Sequence, residues 1–123
     1  MSSTVEIKWL TDPEDHDYPA ALSYLSLLYD ERTAGSHVAK LRSASISQFK
    51  AKDLLRASGL SVLGQSNAHV EKDKQKILTG TPLSPLLLVR DSANGRVIVA
   101  DGYHRLCAVY AYDENAAVPC KIA

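Results

Sequence analysis

The clearest hydrophobic pattern lies toward the C-terminal end of the chain. Residues 86–90, Leu-Leu-Leu-Val-Arg, have the length and apolar character of a strand, and residues 96–100 are mostly β-branched. Asn94-Gly95 between them is a strong signal for a tight hairpin turn, because asparagine and glycine tolerate positive φ. We therefore predict a β-hairpin over residues 86–100.

Residues 103–112 are predicted to form a buried helix. After its first turn this segment is apolar on every side, whereas a surface helix keeps one polar face. Residues 113–115, Asp-Glu-Asn, end the helix, and residues 118–122 predict a closing strand. We place that strand at an edge of the sheet, where Pro119 is tolerated.

The first half of the chain is predicted to be mainly helical. The pattern predicts, in order, a β-like start over 5–9, a helix that begins at Pro19, a second helix over 33–44, a short strand over 47–51 that leads into one helical turn, and a surface helix over 68–78 capped by Asn67. We interpret residues 1–44 as a helical extension without chemistry and residues 45–123 as the core of the same domain. The expected class is α+β, a small mixed sheet with packed helices.

Composition and charge limit the classes of function that we expect for this protein. The chain has 123 residues, enough for one domain, and its 14 Lys and Arg residues balance 14 Asp and Glu residues. Zero net charge argues against a broad nucleic-acid surface, since phosphate binding needs an excess of basic residues. No apolar run or secretory signal indicates a membrane partner, so we expect a soluble, cytoplasmic protein. With two cysteines a disulfide framework is excluded, and a Cys107–Cys120 bridge is the less expected state.

Charged residues are crowded at the start of the buried helix. Asp101, His104 and Arg105 follow directly after a hydrophobic strand. A helix N-terminus carries partial positive charge and unpaired N–H groups, so cations there are disfavoured by about 0.3–1 kcal/mol each. A bound anion would remove this penalty, because the N–H groups and both cations would face it, and Gly102 would let the backbone approach closely. The pattern indicates an anion site.

A second interpretation of the same residues needs no ligand. Asp101 can cap the helix and pair with Arg105 four residues later, which would satisfy both side chains. The spacing alone leaves the two interpretations open.

Three segments resemble, in this order, the ParB/sulfiredoxin-like superfamily: Pro85-Leu86-Leu87-Leu88-Val89, the motif Asp101-Gly102-Tyr103-His104-Arg105, and Val118-Pro119-Cys120-Lys121-Ile122. The motif is nearest to that of the free-serine-kinase-like branch. In that superfamily the motif holds the phosphates of ATP or CTP, usually with Mg²⁺. The resemblance implies that Gly102, Tyr103, His104 and Arg105 bind the nucleotide and that Asp101 holds the metal. Asp101 and His104 are then the candidate catalytic residues.

The sequence also departs from that superfamily. Tyr103 stands where sulfiredoxins carry their catalytic cysteine, so sulfinic acid reduction is not expected. Cys107 is expected to be an inert core thiol, because it lies within the apolar helix. No helix-turn-helix module follows the motif, and we expect no role in DNA partition.

Further candidates lie upstream of the motif. Lys50 and Lys52 would share one face of a strand and could form a basic wall for phosphates, although a solvated strand edge is the favoured explanation. Residues 65–67, Gln-Ser-Asn, match a polar loop that covers the nucleotide in ParB relatives. Serine-kinase relatives use a glutamate in this loop, and residues 58–69 contain no acid.

Two functional hypotheses follow. The first is a small NTP–Mg²⁺ or phosphate-binding protein, with phosphotransferase or NTPase activity as an open question. The alternative is a non-enzymatic interaction module in which a vestigial anion pocket holds a phosphate, carboxylate or acidic loop of a protein partner. The sequence does not specify the oligomeric state.

Overall fold

The computed structural model describes residues 5–64 and 67–123. These residues include five helices and four strands. In chain order the elements are α1 (Asp17–Leu28), α2 (Glu31–Ser43), β1 (Ser47–Lys50), α3 (Ala51–Ser58), α4 (Ala68–Thr79), β2 (Leu86–Asp91), a short 3-10 turn (Ser92–Asn94), β3 (Arg96–Asp101), α5 (Tyr103–Tyr112) and β4 (Ala117–Ile122). The strands form one mixed sheet in the order β1-β4-β2-β3. The expected α+β class is confirmed.

The predicted hairpin is confirmed as well. β2 and β3 pair antiparallel, and the short turn between them ends at Gly95 with a φ of 64°. Glycine adopts this left-handed conformation without steric cost. The glycine part of the signal is therefore confirmed, whereas Asn94 belongs to the 3-10 turn and does not have positive φ.

The closing strand β4 lies inside the sheet, so its prediction as an edge strand is wrong. It runs antiparallel to β1 on one side and parallel to β2 on the other. Pro119 is tolerated because the parallel ladder with β2 begins at the next residue, Cys120. The residue without an N–H group therefore lies outside that ladder.

Two hydrophobic cores share strand β2. Its side chains are buried on both faces of the sheet and alternate between the cores. Leu86 and Leu88 pack with residues of α3, α4 and α5 in the first core. Leu87 and Val89 pack with residues of α1 and α2 in the second core. Helices therefore cover the sheet on both sides.

The N-terminal helices form one of these two layers and are not a mere extension. α1 and α2 bury side chains such as Leu25 against the sheet. α1 also begins with the buried carboxylate of Asp17, although no chemistry was expected in residues 1–44. The predicted β-like start over 5–9 is limited to a single bridge between Trp9 and Leu83.

Helix α4 contributes more to the core than its charged sequence predicts. We expected it at the surface, but Val70, Asp73 and Ile77 are buried and the helix packs along α5. Its position next to α5 brings its charged side chains to the start of that helix. Among the described residues, no helix has the length and hydropathy needed to cross a membrane.

The two cysteines are free and buried, so the Cys107–Cys120 bridge that the sequence allowed does not form. Burial raises the pKa of the Cys120 thiol to about 11, with partial opposition from Arg90. A thiol with a raised pKa is protonated and unreactive in the native state.

We expect Leu25→Ala to lower the free energy of unfolding by about 2–5 kcal/mol, because it leaves a cavity in the second core. Leu27→Ala is the matched control on the same helix. Leu27 is 81% exposed, and its loss should change stability by no more than about 0.5 kcal/mol. Urea unfolding measures both. Small, equal effects would show that α1 does not belong to the cooperative core.

The raised pKa of Cys120 predicts a loss of stability in alkaline solution. Below pH 9 the thiol is protonated in both states, and as the pH rises to about 11 only the unfolded state gains by ionising. The native state should lose up to about 2–3 kcal/mol over this interval. Urea unfolding at a series of pH values should show a shallower decline for Cys120→Ala. Parallel curves for the two proteins would contradict the prediction.

Candidate functional site

A polar cavity of about 180 Å³ lies at the N-terminal end of α5. Helix α4 and the junction between β3 and α5 form its walls. It is lined by His69, Lys72, Asp73, Lys76, Asp101, Gly102, Tyr103, His104 and Arg105. Five of these side chains are basic or can become so, and two are acidic. We call this cavity the α4–α5 pocket.

The backbone at the start of α5 is open to a ligand. Gly102 is the residue before the first turn and has no side chain that could cap it, and within residues 5–64 and 67–123 no side chain accepts a hydrogen bond from the N–H groups of that turn. Asp30 and Asn67, by contrast, cap α2 and α4 with their side chains. These N–H groups can therefore donate to a ligand, and the helix dipole adds partial positive charge at the same place.

Close packing explains why residue 102 is a glycine, and the sequence alone did not show this. Its φ is 109°, and a Cβ atom there would lie 2.7 Å from Cγ of Leu86 and 2.9 Å from Nη2 of Arg105. Both contacts are far closer than a carbon atom tolerates. The glycine therefore lets Arg105 fold back over the start of its own helix.

Arg105 pairs with Asp101, as the ligand-free interpretation expected. Nη2 of Arg105 donates to Oδ2 of Asp101 at 2.9 Å, and both side chains are more than four-fifths buried. The other half of that interpretation is wrong, since Asp101 does not cap α5. Nε of Arg105 is buried and, in the described part of the chain, has no hydrogen-bond partner. The ion pair with Asp101 therefore leaves this buried N–H donor unsatisfied.

Asp101 is also linked to the N-terminal layer. Burial raises its pKa, the Arg105 charge opposes this rise, and the charge and hydrogen bonding of Asp17 add to it. Asp17 itself accepts hydrogen bonds from the hydroxyl of Ser84 and, at 3.2 Å, from the N–H of Glu14. Sequence reasoning missed Asp17, because its contact with Asp101 joins residues that are distant in the chain.

Asp73 is a second acidic residue that sequence reasoning missed. It lies on a buried turn of α4, 4.0 Å from Nζ of Lys76. Burial raises its pKa, and the charges of Lys76, Arg105 and His104 oppose the rise. The spacing of residues 69, 72, 73 and 76 follows one face of a helix, and this signal could have identified the wall of the pocket.

One aromatic contact joins α4 to α5 beside the pocket, and a hydrogen bond ties α5 to the loop before α4. The rings of His69 and His104 are 4.8 Å apart between centroids. The hydroxyl of Tyr103 donates to the carbonyl of Ser61. Asn67 caps α4 through the N–H groups of His69 and Val70, while Gln65 and Ser66 of the expected polar loop lie outside the described residues.

Lys50 and Lys52 are not brought to this pocket. β1 ends at Lys50 and α3 begins at Ala51, so the prediction that both lysines share one strand face is wrong. The N–H of Lys52 donates to the carbonyl of Glu114, beyond the other end of α5. A helix of ten residues is about 15 Å long, which separates this contact from the pocket.

Cys107 is a core thiol, as expected. It is fully buried in α5, and burial raises its pKa. Its sulfur accepts a hydrogen bond from the N–H of Leu63 at 3.4 Å. The thiol fixes the chain before α4 and does not line the pocket.

An adjoining cavity of about 370 Å³ shares residues 101–104 with the α4–α5 pocket. Its other walls are Tyr24, Leu60, Val99 and Ala100, which are largely apolar. A ligand that bridges the two cavities would need a charged end and an apolar body. No family model, curated protein or solved structure matches this chain.

Gly102→Ala is expected to lower the free energy of unfolding by about 2–5 kcal/mol, because strain at positive φ adds to the clash with Leu86. Gly95→Ala is the matched control. Gly95 also has positive φ, but nothing lies within 4 Å of an added Cβ, so strain alone should cost about 1–2 kcal/mol. Denaturant unfolding of both variants separates the clash from the strain. Equal losses would contradict close packing at Gly102.

Proposed function

We propose that the α4–α5 pocket binds the phosphate groups of a nucleotide. The main support for this proposal is that basic side chains from two helices lie together at the N-terminus of α5, where the cap residue Gly102 makes no side-chain hydrogen bond. Lys72 and Lys76 come from α4, and His104 and Arg105 come from α5. Charged donors and backbone N–H groups together bind phosphate oxygens well.

The roles of the basic residues differ with their surroundings. Lys72 is exposed and Lys76 is partly exposed, so both can move toward an anion. Arg105 is held by Asp101, and its Nε–H is buried. We assign phosphate contacts to the two lysines and to His104, and we assign to Arg105 the role of orienting the site.

The adjoining cavity supports a nucleotide rather than free phosphate. Tyr24, Leu60 and Val99 give it apolar walls beside the polar pocket. Cavities of about 300–1,000 Å³ with a few polar groups are typical of small-molecule sites. We assign the phosphates to the α4–α5 pocket and the base and sugar of ATP or CTP to the adjoining cavity.

Mg²⁺ belongs to this proposal because the pocket offers oxygen ligands. Asp73 and Asp101 both line it, and carboxylate oxygen is the donor that Mg²⁺ prefers in proteins. Bound Mg²⁺ would neutralise part of the phosphate charge. Asp73 also supplies an acid close to the site, which the loop over residues 58–69 lacks.

Phosphoryl transfer is the reaction that such a pocket could support. Catalysis of this kind depends mainly on positioning and on stabilising charge. His104 would contact a phosphate oxygen, and Asp101 would orient Arg105. A phosphotransferase or NTPase activity is therefore part of the proposal, whereas sulfinic acid reduction is not, since Tyr103 replaces the cysteine.

The proposal includes relationship to the ParB/sulfiredoxin-like superfamily. The order of the elements supports this relationship. A hairpin leads into the motif of residues 101–105 at the start of a buried helix, and a strand over 117–122 follows. The position of the motif beside basic residues of α4 supports the nucleotide site that the resemblance implies.

We expect Lys72→Ala and Lys76→Ala each to weaken binding of ATP or CTP with Mg²⁺ by about three- to tenfold, because each removes one charged phosphate contact. Calorimetric titration measures the affinity. Lys74→Ala is the matched control, with the same change of charge on the same helix but outside the pocket lining. Arg105→Ala is less informative, because it leaves the buried Asp101 without its partner.

The outcomes separate the two functional hypotheses. Stabilisation of the wild-type protein by a nucleotide, reduced in both lysine variants and kept in Lys74→Ala, supports the nucleotide site. Binding of pyrophosphate but of no nucleotide would contradict it and favour a module that holds the phosphate or carboxylate of a partner. Equal affinities for all three lysine variants would also contradict the proposed pocket. Hydrolysis assays with the same proteins then test for turnover.

A further inference from the structure

A third cavity, of about 540 Å³, lies at the C-terminal end of α5. It is lined by Val5, Glu6, Ile7, Trp9, Gln48, Tyr112, Asp113, Ala116, Ala117 and Pro119. None of these residues lines the α4–α5 pocket. The length of α5, about 15 Å, separates the two cavities. We call it the Trp9 cavity.

The lining of the Trp9 cavity has a distinct chemistry. It combines two aromatic side chains, Trp9 and Tyr112, with two carboxylates, Glu6 and Asp113. No lysine, arginine or histidine is part of it. Glu6 forms an exposed ion pair with Lys8 at 3.3 Å, and a pair of this kind contributes little to stability in water. Asp113, in the described part of the chain, has no basic side chain within 4.0 Å.

Asp113 lies where the helix dipole disfavours it. It is the residue that ends α5, and the last turn contains no basic side chain. The C-terminal end of a helix carries partial negative charge, so a carboxylate there is repelled and a cation is attracted. The carboxylate also accepts a hydrogen bond from the N–H of Asn115 at 2.9 Å, which fixes its position.

A hydrogen bond to the backbone holds the Tyr112 ring, and a backbone bridge anchors the chain at Trp9. The hydroxyl of Tyr112 donates to the carbonyl of Val5 at 2.5 Å. Trp9 is partly buried, and its backbone forms the bridge with Leu83. Among the described residues, side-chain cations lie over the ring of Tyr18 only, so no cation of the chain covers Trp9 or Tyr112.

We infer that the Trp9 cavity binds a small organic cation of the alkylammonium class. The carboxylates and the end of α5 supply the negative field, and the aromatic faces attract a cation that keeps its apolar substituents. Ile7, Ala116 and Pro119 give those substituents apolar contact. A small metal ion would instead require several oxygen ligands at close range, and most of this lining cannot provide them.

This inference is independent of the nucleotide site. α5 has basic residues at its first turn and an acidic residue at its end, the reverse of what its dipole favours. The same physical argument therefore points to an anion at one end and a cation at the other. Each site can be tested with the other left intact.

Trp9 is the single tryptophan of the chain and reports directly on this cavity. We expect tetramethylammonium chloride to change its fluorescence saturably and to raise the melting temperature. Sodium chloride at equal ionic strength and tert-butanol, a neutral molecule of similar shape, should produce neither effect. Equal responses to any of these controls would overturn the inference, as would the absence of both effects with tetramethylammonium.

Asp113→Asn should weaken tetramethylammonium binding by about three- to tenfold, because it removes the negative charge beside the rings. The asparagine oxygen can still accept the hydrogen bond from Asn115, so the helix end is preserved. Glu114→Gln is the matched control, since Glu114 is exposed and outside the lining. Lys76→Ala, which tests the other pocket, should leave the affinity unchanged. An affinity unaffected by Asp113→Asn would overturn the inference.

Discussion

Burial of the charge on Asp101 constrains the region where β3 passes into α5. A buried carboxylate without a partner costs several kcal/mol, so its neighbours must compensate for it. Arg105 provides the opposite charge, whereas Asp17, a second carboxylate that approaches from the N-terminal layer, raises the pKa of Asp101 further. Gly102 makes the arrangement possible, because a side chain there would displace the guanidinium. The direction of Arg105 at the start of α5, and with it the shape of the pocket, depends on this compensation.

The position of α4 brings further basic side chains next to this ion pair. Asp101 and Arg105 alone are a balanced pair. The face of α4 that carries Lys72 and Lys76 adds positive charge next to it, while the first turn of α5 remains uncapped. At its other end α5 meets Asp113 and two aromatic rings. The helix thus presents fields of opposite sign to two separate cavities, and its apolar middle keeps them apart.

Sequence reasoning succeeded where the signal is local. The hairpin around Gly95, the buried helix over 103–112 and the cap at Asn67 each follow from neighbouring residues alone. It failed where distant segments meet. Pro119 indicates which hydrogen bond is missing but not which strands flank β4. The contact of Asp17 with Asp101 cannot be predicted from the residues that surround either of them in the sequence. Half of the pocket, the motif at α5, could therefore be predicted, whereas the wall from α4 required the packing.

The place of β4 has a kinetic consequence. β1 has a single neighbour in the sheet, and that neighbour is β4, whose Cys120 thiol meets the carbonyl of Ser47 across 73 positions of the chain. Closing so long a loop has a large entropic cost before any contact repays it. Chains with many such distant pairings fold slowly. Until β4 docks, β1 lacks its pairing partner in the sheet.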